Sequence, residues 1–344
     1  MKKEDCGIIN YLKNFIWGKI MVRFGFIGTS KISDRFAEAL KQTQGCEITA
    51  VYSRTTEKGN EFAKKHRIKN IFTSLEEMLT GDVINAVYIA SPNGAHALQA
   101  VKAAQYKKHI LCEKSIAATT AELNMMIEAA EKNGVVLMEA MRTTLNPNFK
   151  IIKDNLYKIG AVRGVKAEYC QYSSRYDNLK NGELTNIFNP KLAGGALYDI
   201  GVYPLYFTVA MFGSPQEYFG MNYAVESDAD GLGNIVLKYD DKIASVFYSK
   251  ITEGQTHSEI QGELGSITIK KLSFLEDIEI IYRNGNREKI GITPAENDMI
   301  YEAQEFISLI NSGKKESEIN SLAVSKKVLE IIENIANKGR YTGK

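Results

Sequence analysis

The chain has 344 residues, of which 44% are hydrophobic and 24% charged, a composition typical of a globular protein with about two domains. Its net charge of +2, with dispersed lysines, excludes an electrostatic surface for nucleic acid. No apolar run approaches the ~18 residues of a membrane span, and we find no signal peptide. The four cysteines lack metal-ligand spacing. We therefore expect no metal site and a protein of the reducing cytoplasm.

Three segments divide the chain. Residues 1–20 contain apolar residues interrupted by polar ones such as Asn10 and Lys13, and we interpret them as an extension outside the fold. Residues 21–142 form the first predicted domain and residues 143–344 the second, with Pro147 opening a linking helix. The last helices of the second domain are free to pack back on the first.

Apolar strands alternate with amphipathic helices in the first domain. The predicted strands cover residues 22–27, 47–52, 83–90, 109–112 and 135–138. The intervening helices present apolar faces, for example Ile32, Phe36 and Leu40 in the first, and Leu98, Val101 and Ala104 in the third. Thr119 and Glu122 form a possible capping box before the fourth helix. This pattern predicts an α/β fold with a doubly wound parallel sheet.

The second domain has a different pattern. From residue 162 to 290 the chain is mainly strand-like with turn signals, which favours a large, mainly antiparallel sheet. Helices are predicted at 296–311 and 321–337, so this half is an α+β domain. An open antiparallel sheet leaves one face to cover, which makes a homodimer or higher homo-oligomer through this sheet plausible.

The turn after the first strand reads Gly-Thr-Ser-Lys-Ile-Ser from Gly28 to Ser33. Gly28 permits a tight turn, and small residues at 30 and 33 keep the backbone near a pyrophosphate at the helix N-terminus. Two serines replace the usual glycines, so an ordinary strand-to-helix turn is the alternative. The predicted cofactor-binding residues here are Gly28, Thr29, Ser30, Lys31 and Ile32.

Strand two ends without an acidic residue, where an NAD site would place one on the ribose. Ser53, Arg54 and Thr55 stand there instead, with Lys58 nearby. Their hydroxyls and guanidinium suit a 2′-phosphate, so NADP is favoured and NAD remains possible. A solvated Arg54 is the alternative.

Polar residues also follow the third and fourth strands. Ser91, Pro92 and Asn93 precede His96, which lies one helical turn further on, and Glu113-Lys114 ends the fourth strand. The carboxyl ends of parallel strands face the ligand crevice, so these residues are predicted to contact the cofactor. For His96 the alternative is a helix N-terminal residue without a ligand.

In the second half, Gly-Gly-Ala-Leu-Tyr-Asp-Ile-Gly-Val-Tyr-Pro runs from 194 to 204. Asp199 and Tyr203 are four residues apart and would share one helical face. The tyrosine hydroxyl can bind a substrate oxygen and move a proton. A core tyrosine and a capping aspartate are the alternative.

These segments together resemble the glucose–fructose oxidoreductase/inositol dehydrogenase (Gfo/Idh/MocA) family over residues 22 to about 338. The matching pieces are F-G-F-I-G-T-S-K-I-S, V-Y-S-R-T, S-P-N-G-A-H, C-E-K-S, M-E-A-M-R-T-T-L-N-P and G-G-A-L-Y-D-I-G-V-Y-P. The chain departs from the family at Ser115, where proline is common, and at Tyr203, where many members carry histidine. Dihydrodiol and xylose dehydrogenases share the tyrosine variant and favour NADP.

The resemblance implies a Rossmann domain and an NADP-dependent oxidoreductase that acts on a secondary alcohol of a sugar, cyclic polyol or dihydrodiol. Lys114 and Tyr203 would be catalytic, with roles that could be exchanged, and burial and the cationic nicotinamide would both lower the pKa of Lys114. Asp199 would orient the pair, and Arg142 and Asn146 are further substrate-binding candidates. Rival functions are a nicotinamide-dependent glycoside hydrolase and a non-catalytic NADP sensor.

Overall fold

The structure, a computed structural model, describes residues 20–338 and 340–341, and these form two sheets. The predicted extension 1–20 lies outside the described residues except for Ile20. Within the described part of the chain, no helix is long and apolar enough to cross a membrane.

The first half contains a six-stranded sheet in which every pair is parallel. Its order is β3-β2-β1-β4-β5-β6, which reverses direction between β1 and β4. The strands are β1 Val22–Ile27, β2 Cys46–Tyr52, β3 Asn70–Phe72, β4 Ala86–Ile89, β5 His109–Glu113 and β6 Leu137–Ala140. This confirms the doubly wound sheet, whose ligands bind outside the strand ends at the reversal.

Five helices accompany this sheet: α1 Lys31–Lys41, α2 Thr56–His66, α3 Leu75–Thr80, α4 His96–Gln105 and α5 Thr120–Asn133. The capping box at the start of α5 is confirmed, because Thr119 Oγ1 accepts from the Glu122 N–H at 3.2 Å and Glu122 Oε2 accepts from the Thr119 N–H at 3.2 Å. The sequence did not predict β3 and α3, since three strand residues are too few to show an alternating pattern.

The predicted inward face of α4 was wrong at one of its three residues. Ala104 is buried and Val101 packs partly buried against the core, as predicted, but Leu98 is 72% exposed. The core face is instead completed by Ala97, Ala100 and Ala103, which are buried against the sheet and α5. Small side chains let a helix approach its neighbours closely, and Leu98 lies about 100° around the helix from Ala97. The largest apolar residue was therefore a misleading marker of the core face.

The second half contains a nine-stranded sheet of order β14-β13-β12-β11-β7-β10-β9-β8-β15. Its strands are β7 Val162–Cys170, β8 Glu217–Ala224, β9 Asp230–Lys238, β10 Ile243–Ser249, β11 Ser258–Gly262, β12 Gly265–Lys271, β13 Glu276–Tyr282, β14 Arg287–Lys289 and β15 Arg340–Tyr341. Only the β7–β10 and β8–β15 pairs are parallel among the strands described, so the mainly antiparallel sheet is confirmed.

The helices of this half are α6 Arg142–Leu145, α7 Pro147–Asn155, α8 Ser174–Lys180, α9 Val202–Phe212, α10 Met299–Ser312 and α11 Leu322–Lys338. Helices α9 and α11 pack against one another and against the sheet. Helix α10 returns to the first domain, where the Phe306 ring lies 5.8 Å from that of Phe24. Pro147 is the first residue of α7, as predicted.

Candidate active site

Gly28 brings the end of β1 against the end of β4. Its φ is 112°, and a Cβ at this position would lie 2.7 Å from the Ala90 carbonyl oxygen. A side chain is therefore excluded on steric grounds and by the left-handed backbone. The turn leads into α1, whose first N–H groups can face an anion.

A groove of about 860 Å³ runs along these strand ends. Nine of the predicted cofactor residues line it: Gly28, Thr29, Ser30, Ser53, Arg54, Thr55, Lys58, Ser91 and Pro92. Lys31, Ile32, Asn93, His96, Glu113 and Lys114 are not among its lining residues. The groove residues fit a dinucleotide phosphate, because Arg54 and Lys58 are both exposed basic side chains beside the Ser53 and Thr55 hydroxyls.

The far wall of the groove includes residues that the sequence did not suggest. Asn186 and Leu192 of the second domain line it, and so does Gln99, which accepts a hydrogen bond from Ser91 Oγ at 2.7 Å. Asn93 Nδ2 donates to the Ala193 carbonyl at 3.0 Å. Asn93 thus connects the two domains at the rim of the groove.

His96 lies beneath the site rather than in it. Its side chain is buried, with Nε2 2.8 Å from the Ser91 carbonyl and Nδ1 3.1 Å from the Ser115 carbonyl. Burial lowers the pKa of His96. These contacts favour the structural alternative, in which His96 connects the turns after β4 and β5.

Glu113 points into the protein interior. It is buried, accepts a hydrogen bond from the Tyr88 hydroxyl at 2.5 Å, and has a pKa raised by burial. Helix α10 places a second buried carboxyl, Glu302, in the same region, and its pKa is raised by burial and by Glu113. Glu113 therefore anchors the end of β5 and leaves only Lys114 facing the site.

Lys114 contacts Asp199 from the opposite half of the chain. Lys114 Nζ donates to Asp199 Oδ1 at 2.9 Å and to the Asp199 carbonyl oxygen at 2.6 Å. Lys250 donates to the other carboxylate oxygen, Oδ2. Lys114 Nζ also lies 5.2 Å from the centre of the Tyr203 ring. The structure thus brings together the three residues predicted to be catalytic.

The expected effect of burial on the pKa of Lys114 is reversed by its neighbours. Burial is the largest single influence and lowers this pKa, but Asp199, Tyr203 and Glu113 together outweigh burial, and the pKa is raised. The pKa of Asp199 changes in the opposite direction. Burial alone raises it, and the charges of Lys114 and Lys250 bring it below its ordinary value. Lys114 is therefore an ammonium group held by a carboxylate.

The local helix geometry also differs from the prediction. Leu197–Gly201 is a π-helical turn, and Tyr203 belongs to the α-helix that follows. A Cβ on Gly201 would lie 2.8 Å from the Tyr248 ring of β10, so the glycine lets this turn rest on the sheet. The turn thereby holds Asp199 over the sheet, within reach of Lys250.

Arg142 and Asn146 have different surroundings. The Arg142 guanidinium lies 5.3 Å from the centre of the Tyr203 ring and forms a buried ion pair with Asp298. Asn146 instead caps α7, where its Oδ1 accepts from the Asn148 N–H at 3.0 Å. Its buried side chain is occupied in the fold, whereas Arg142 borders the site.

Lys250, Asp298 and Tyr169 are further residues around the site that sequence reasoning missed. Tyr169 packs edge-on against Tyr203 at 5.7 Å. Lys250 directly follows β10, so it carried the same signal as Lys114, a lysine at a strand end. Nothing in the sequence near Asp298 indicated its pairing with Arg142.

Comparison with known proteins identifies the class. Residues 22–141 match the oxidoreductase family with an NAD-binding Rossmann fold, and residues 156–268 match the GFO/IDH/MocA C-terminal domain. The chain belongs to the Gfo/Idh/MocA family of oxidoreductases. The resemblance seen in the sequence motifs is thereby confirmed.

Within that family, the chain is 47% identical to the scyllo-inositol 2-dehydrogenase (NADP(+)) IolU of Bacillus subtilis, with 91% of this chain and 95% of the relative aligned. It is 28% identical to the trans-1,2-dihydrobenzene-1,2-diol dehydrogenase of Xenopus laevis, over 90% of this chain and 96% of the relative. The fold matches that of the 3-ketoreductase KijD10 from Actinomadura kijaniata, solved with NADP and TDP-benzene, at a TM-score of 0.82. That match has 22% identity and covers 93% of this chain and 98% of the other.

Proposed function

We propose that this protein is an NADP-dependent dehydrogenase that oxidises a secondary alcohol of a cyclic polyol, with scyllo-inositol the first substrate to test. The observation that carries the proposal is the convergence of Lys114, Asp199 and Tyr203 beside the strand ends that border the dinucleotide groove. The 47% identity with a scyllo-inositol dehydrogenase supports the substrate class.

The cofactor would lie along the groove, with its pyrophosphate at the turn Gly28–Ser30 and its 2′-phosphate near Ser53 and Arg54. When bound, NADP supplies a nicotinamide ring that accepts a hydride from the carbinol carbon. The side chains of the chain must then bind the substrate hydroxyl and remove its proton.

The geometry favours one of the two role assignments. Because Asp199 holds Lys114 in its charged form, Lys114 suits a hydrogen bond that stabilises the developing alkoxide. Tyr203 is then the group that accepts the hydroxyl proton, on its phenolate oxygen, with the cations of Lys114 and Arg142 5.2 and 5.3 Å from the centre of its ring. In the reverse direction Tyr203 returns the proton to the carbonyl oxygen.

The test is an absorbance assay at the nicotinamide band with scyllo-inositol, myo-inositol, glucose and a dihydrodiol as separate substrates. NADPH should accumulate in step with oxidised product for at least one cyclic polyol. Turnover of a glycoside without net formation of NADPH would contradict the proposal and favour the hydrolase.

A homodimer through the second sheet is part of the same proposal. Phe219 and Met221 of β8 and Ile243 of β10 are 52–68% exposed on one face of this sheet. Exposed apolar patches of this kind are typical of interfaces. Light scattering should give twice the chain mass, and Phe219→Asp should shift it toward the monomer; a monomeric native protein would contradict the dimer.

We also propose that the protein works in the cytoplasm. Cys46, Cys112 and Cys170 are free thiols, as expected for a reducing compartment. Cell fractionation with an antibody against the chain tests this, and recovery outside the cytoplasmic fraction would contradict it.

A further inference from the structure

Two lysines share the carboxylate of Asp199. Lys114 comes from the end of β5 in the first domain and binds Oδ1, whereas Lys250 comes from the end of β10 in the second domain and binds Oδ2. Both ammonium groups are largely shielded from solvent, since the side chain of Lys114 is 14% exposed and that of Lys250 9%. One carboxylate thus balances two nearly buried cations.

The main chain holds Lys250 firmly. Its N–H donates to the Gly231 carbonyl at 2.8 Å, and its own carbonyl accepts from the Ser173 N–H at 2.9 Å. Burying a lysine that merely duplicates an existing ion pair is unfavourable, because the ammonium group loses its hydration. The buried position of Lys250 therefore indicates a specific role for its charge.

The number of N–H donors on Lys114 indicates the role of Lys250. An ammonium group has three N–H donors. Lys114 donates two of these N–H groups to the carbonyl oxygen and Oδ1 of Asp199, which leaves the third for a substrate oxygen. With Lys250 removed, Oδ2 loses its partner and can turn toward Lys114. The remaining donor would then be taken by the carboxylate.

Other charged and titratable groups also surround Lys114. Tyr203 comes from α9, Glu113 from β5, Glu139 from β6 and His96 from α4. The Arg142 guanidinium lies 5.3 Å from the centre of the Tyr203 ring. Glu113 and Glu139 belong to the first domain and are buried behind the strand ends. Lys250 is the cation that competes with Lys114 for Asp199 itself.

We propose that Lys250 is a positioning residue: it holds Oδ2 of Asp199 away from Lys114, so that Lys114 keeps one N–H free for the substrate. This rests on the proposed function, in which Lys114 binds the reacting oxygen. It also predicts that Lys250 limits how tightly Asp199 holds the proton of Lys114.

The first experiment needs no substrate. Trace labelling with acetic anhydride at pH 9, read by mass spectrometry, measures how often the Lys114 amine is neutral. Lys250→Met should slow labelling of Lys114 about tenfold, which corresponds to one pH unit. Lys250→Arg should keep the native rate because it retains the charge.

The matched control is Lys242→Met, since Lys242 lies just before β10, pairs with Asp241 and has a side chain that is 14% exposed. It should leave Lys114 labelling unchanged. Unchanged or faster labelling of Lys114 in Lys250→Met would overturn the proposal. If that variant folds poorly, Lys250→Gln replaces it, with the same expected slowing and the same contradicting result.

The second experiment uses turnover. In Lys250→Met, Lys114 loses the N–H that binds the substrate oxygen, so kcat/KM should fall at least about tenfold, with the NADPH dissociation constant within about twofold of native. Lys250→Arg retains the charge and should restore kcat/KM to near the native value. Equal losses in the two variants would indicate a merely structural residue and overturn the proposal. If no polyol is turned over, the proposed function fails, and the labelling experiment still decides the role of Lys250.

Discussion

Lys114 Nζ lies 2.9 Å from Asp199 Oδ1, and this contact connects the strand end of the cofactor domain to the π-helical turn of the second domain. Neither domain alone contains the pair. The site is therefore assembled by the packing of one domain on the other.

Lys114 and Tyr203 are expected to act as one proton-transfer unit. Lys114→Met and Tyr203→Phe should each lower kcat about 10²–10⁴-fold, because general acid–base groups contribute by that order. The double variant should lose much less than the product of the two, since residues acting as a unit are not additive. Steady-state kinetics on a verified substrate measures this, and calorimetry should show near-native NADPH binding.

Tyr206→Phe is the matched control for the tyrosine, because Tyr206 lies on the same helix and its hydroxyl lies 3.3 Å from Ser325 Oγ, within the core. Its kcat should stay near native. Fully multiplicative losses in the double variant would argue for independent roles. Native turnover in either single variant would remove that residue from the mechanism.

Arg54 is expected to select NADP over NAD. Its exposed guanidinium stands at the end of β2 in the groove, where an acidic residue would favour the ribose of NAD. Arg54→Ala should erase most of the preference for NADPH, because a charge-assisted hydrogen bond is worth roughly 1.5–3 kcal/mol. Titration calorimetry with both cofactors tests this, with the exposed Arg283→Ala as control. Equal affinities in the native protein would refute the idea.

The sequence predicted the first domain and most of its site because strand-end chemistry is local. Gly28, Lys114 and the Asp199–Tyr203 pair could be found since each lies at the end of an element that the pattern identifies. Roles that depend on distant contacts could not be found. Asn146 was predicted to bind substrate, yet its side chain caps α7 and donates to the Phe274 carbonyl at 3.0 Å.

The balance of charges around Lys114 and Arg142 also could not be predicted from the sequence. The lowering of the Lys114 pKa was expected from burial and from the cationic nicotinamide, and only the structure shows that Asp199, together with Tyr203 and Glu113, reverses the effect of burial. The pairing of Arg142 with Asp298 spans more than 150 residues, and no periodicity encodes such a contact.

Removal of residues 1–20 is expected to leave the fold intact. Strand β1 begins at Val22, and the preceding sequence has no periodic apolar face. A chain that starts at Met21 should match the full chain in melting temperature and in NADPH affinity. Scanning calorimetry and titration calorimetry measure the two. A fall of several degrees would show that the segment packs on the body or on a second subunit.

Glu139 should make the protein less stable as the pH rises. Its side chain is buried on β6, where burial raises its pKa to about 7, although Oε1 accepts from the Ile116 N–H at 3.1 Å. Below about pH 4.5 the carboxyl is protonated in both states. Between there and pH 7 only the unfolded chain releases the proton, so the free energy of unfolding falls across that window.

Glu139→Gln should remove this loss, because the amide keeps the shape and an acceptor for Ile116. At pH 8 the variant should be more stable than the native protein by up to about 3 kcal/mol, and the difference should shrink toward zero near pH 4.5. Urea unfolding at both pH values measures it, and the exposed Glu131→Gln on α5 should show no such trend. If the variant is less stable than the native protein at pH 8, the folded protein must stabilise the charged carboxylate of Glu139.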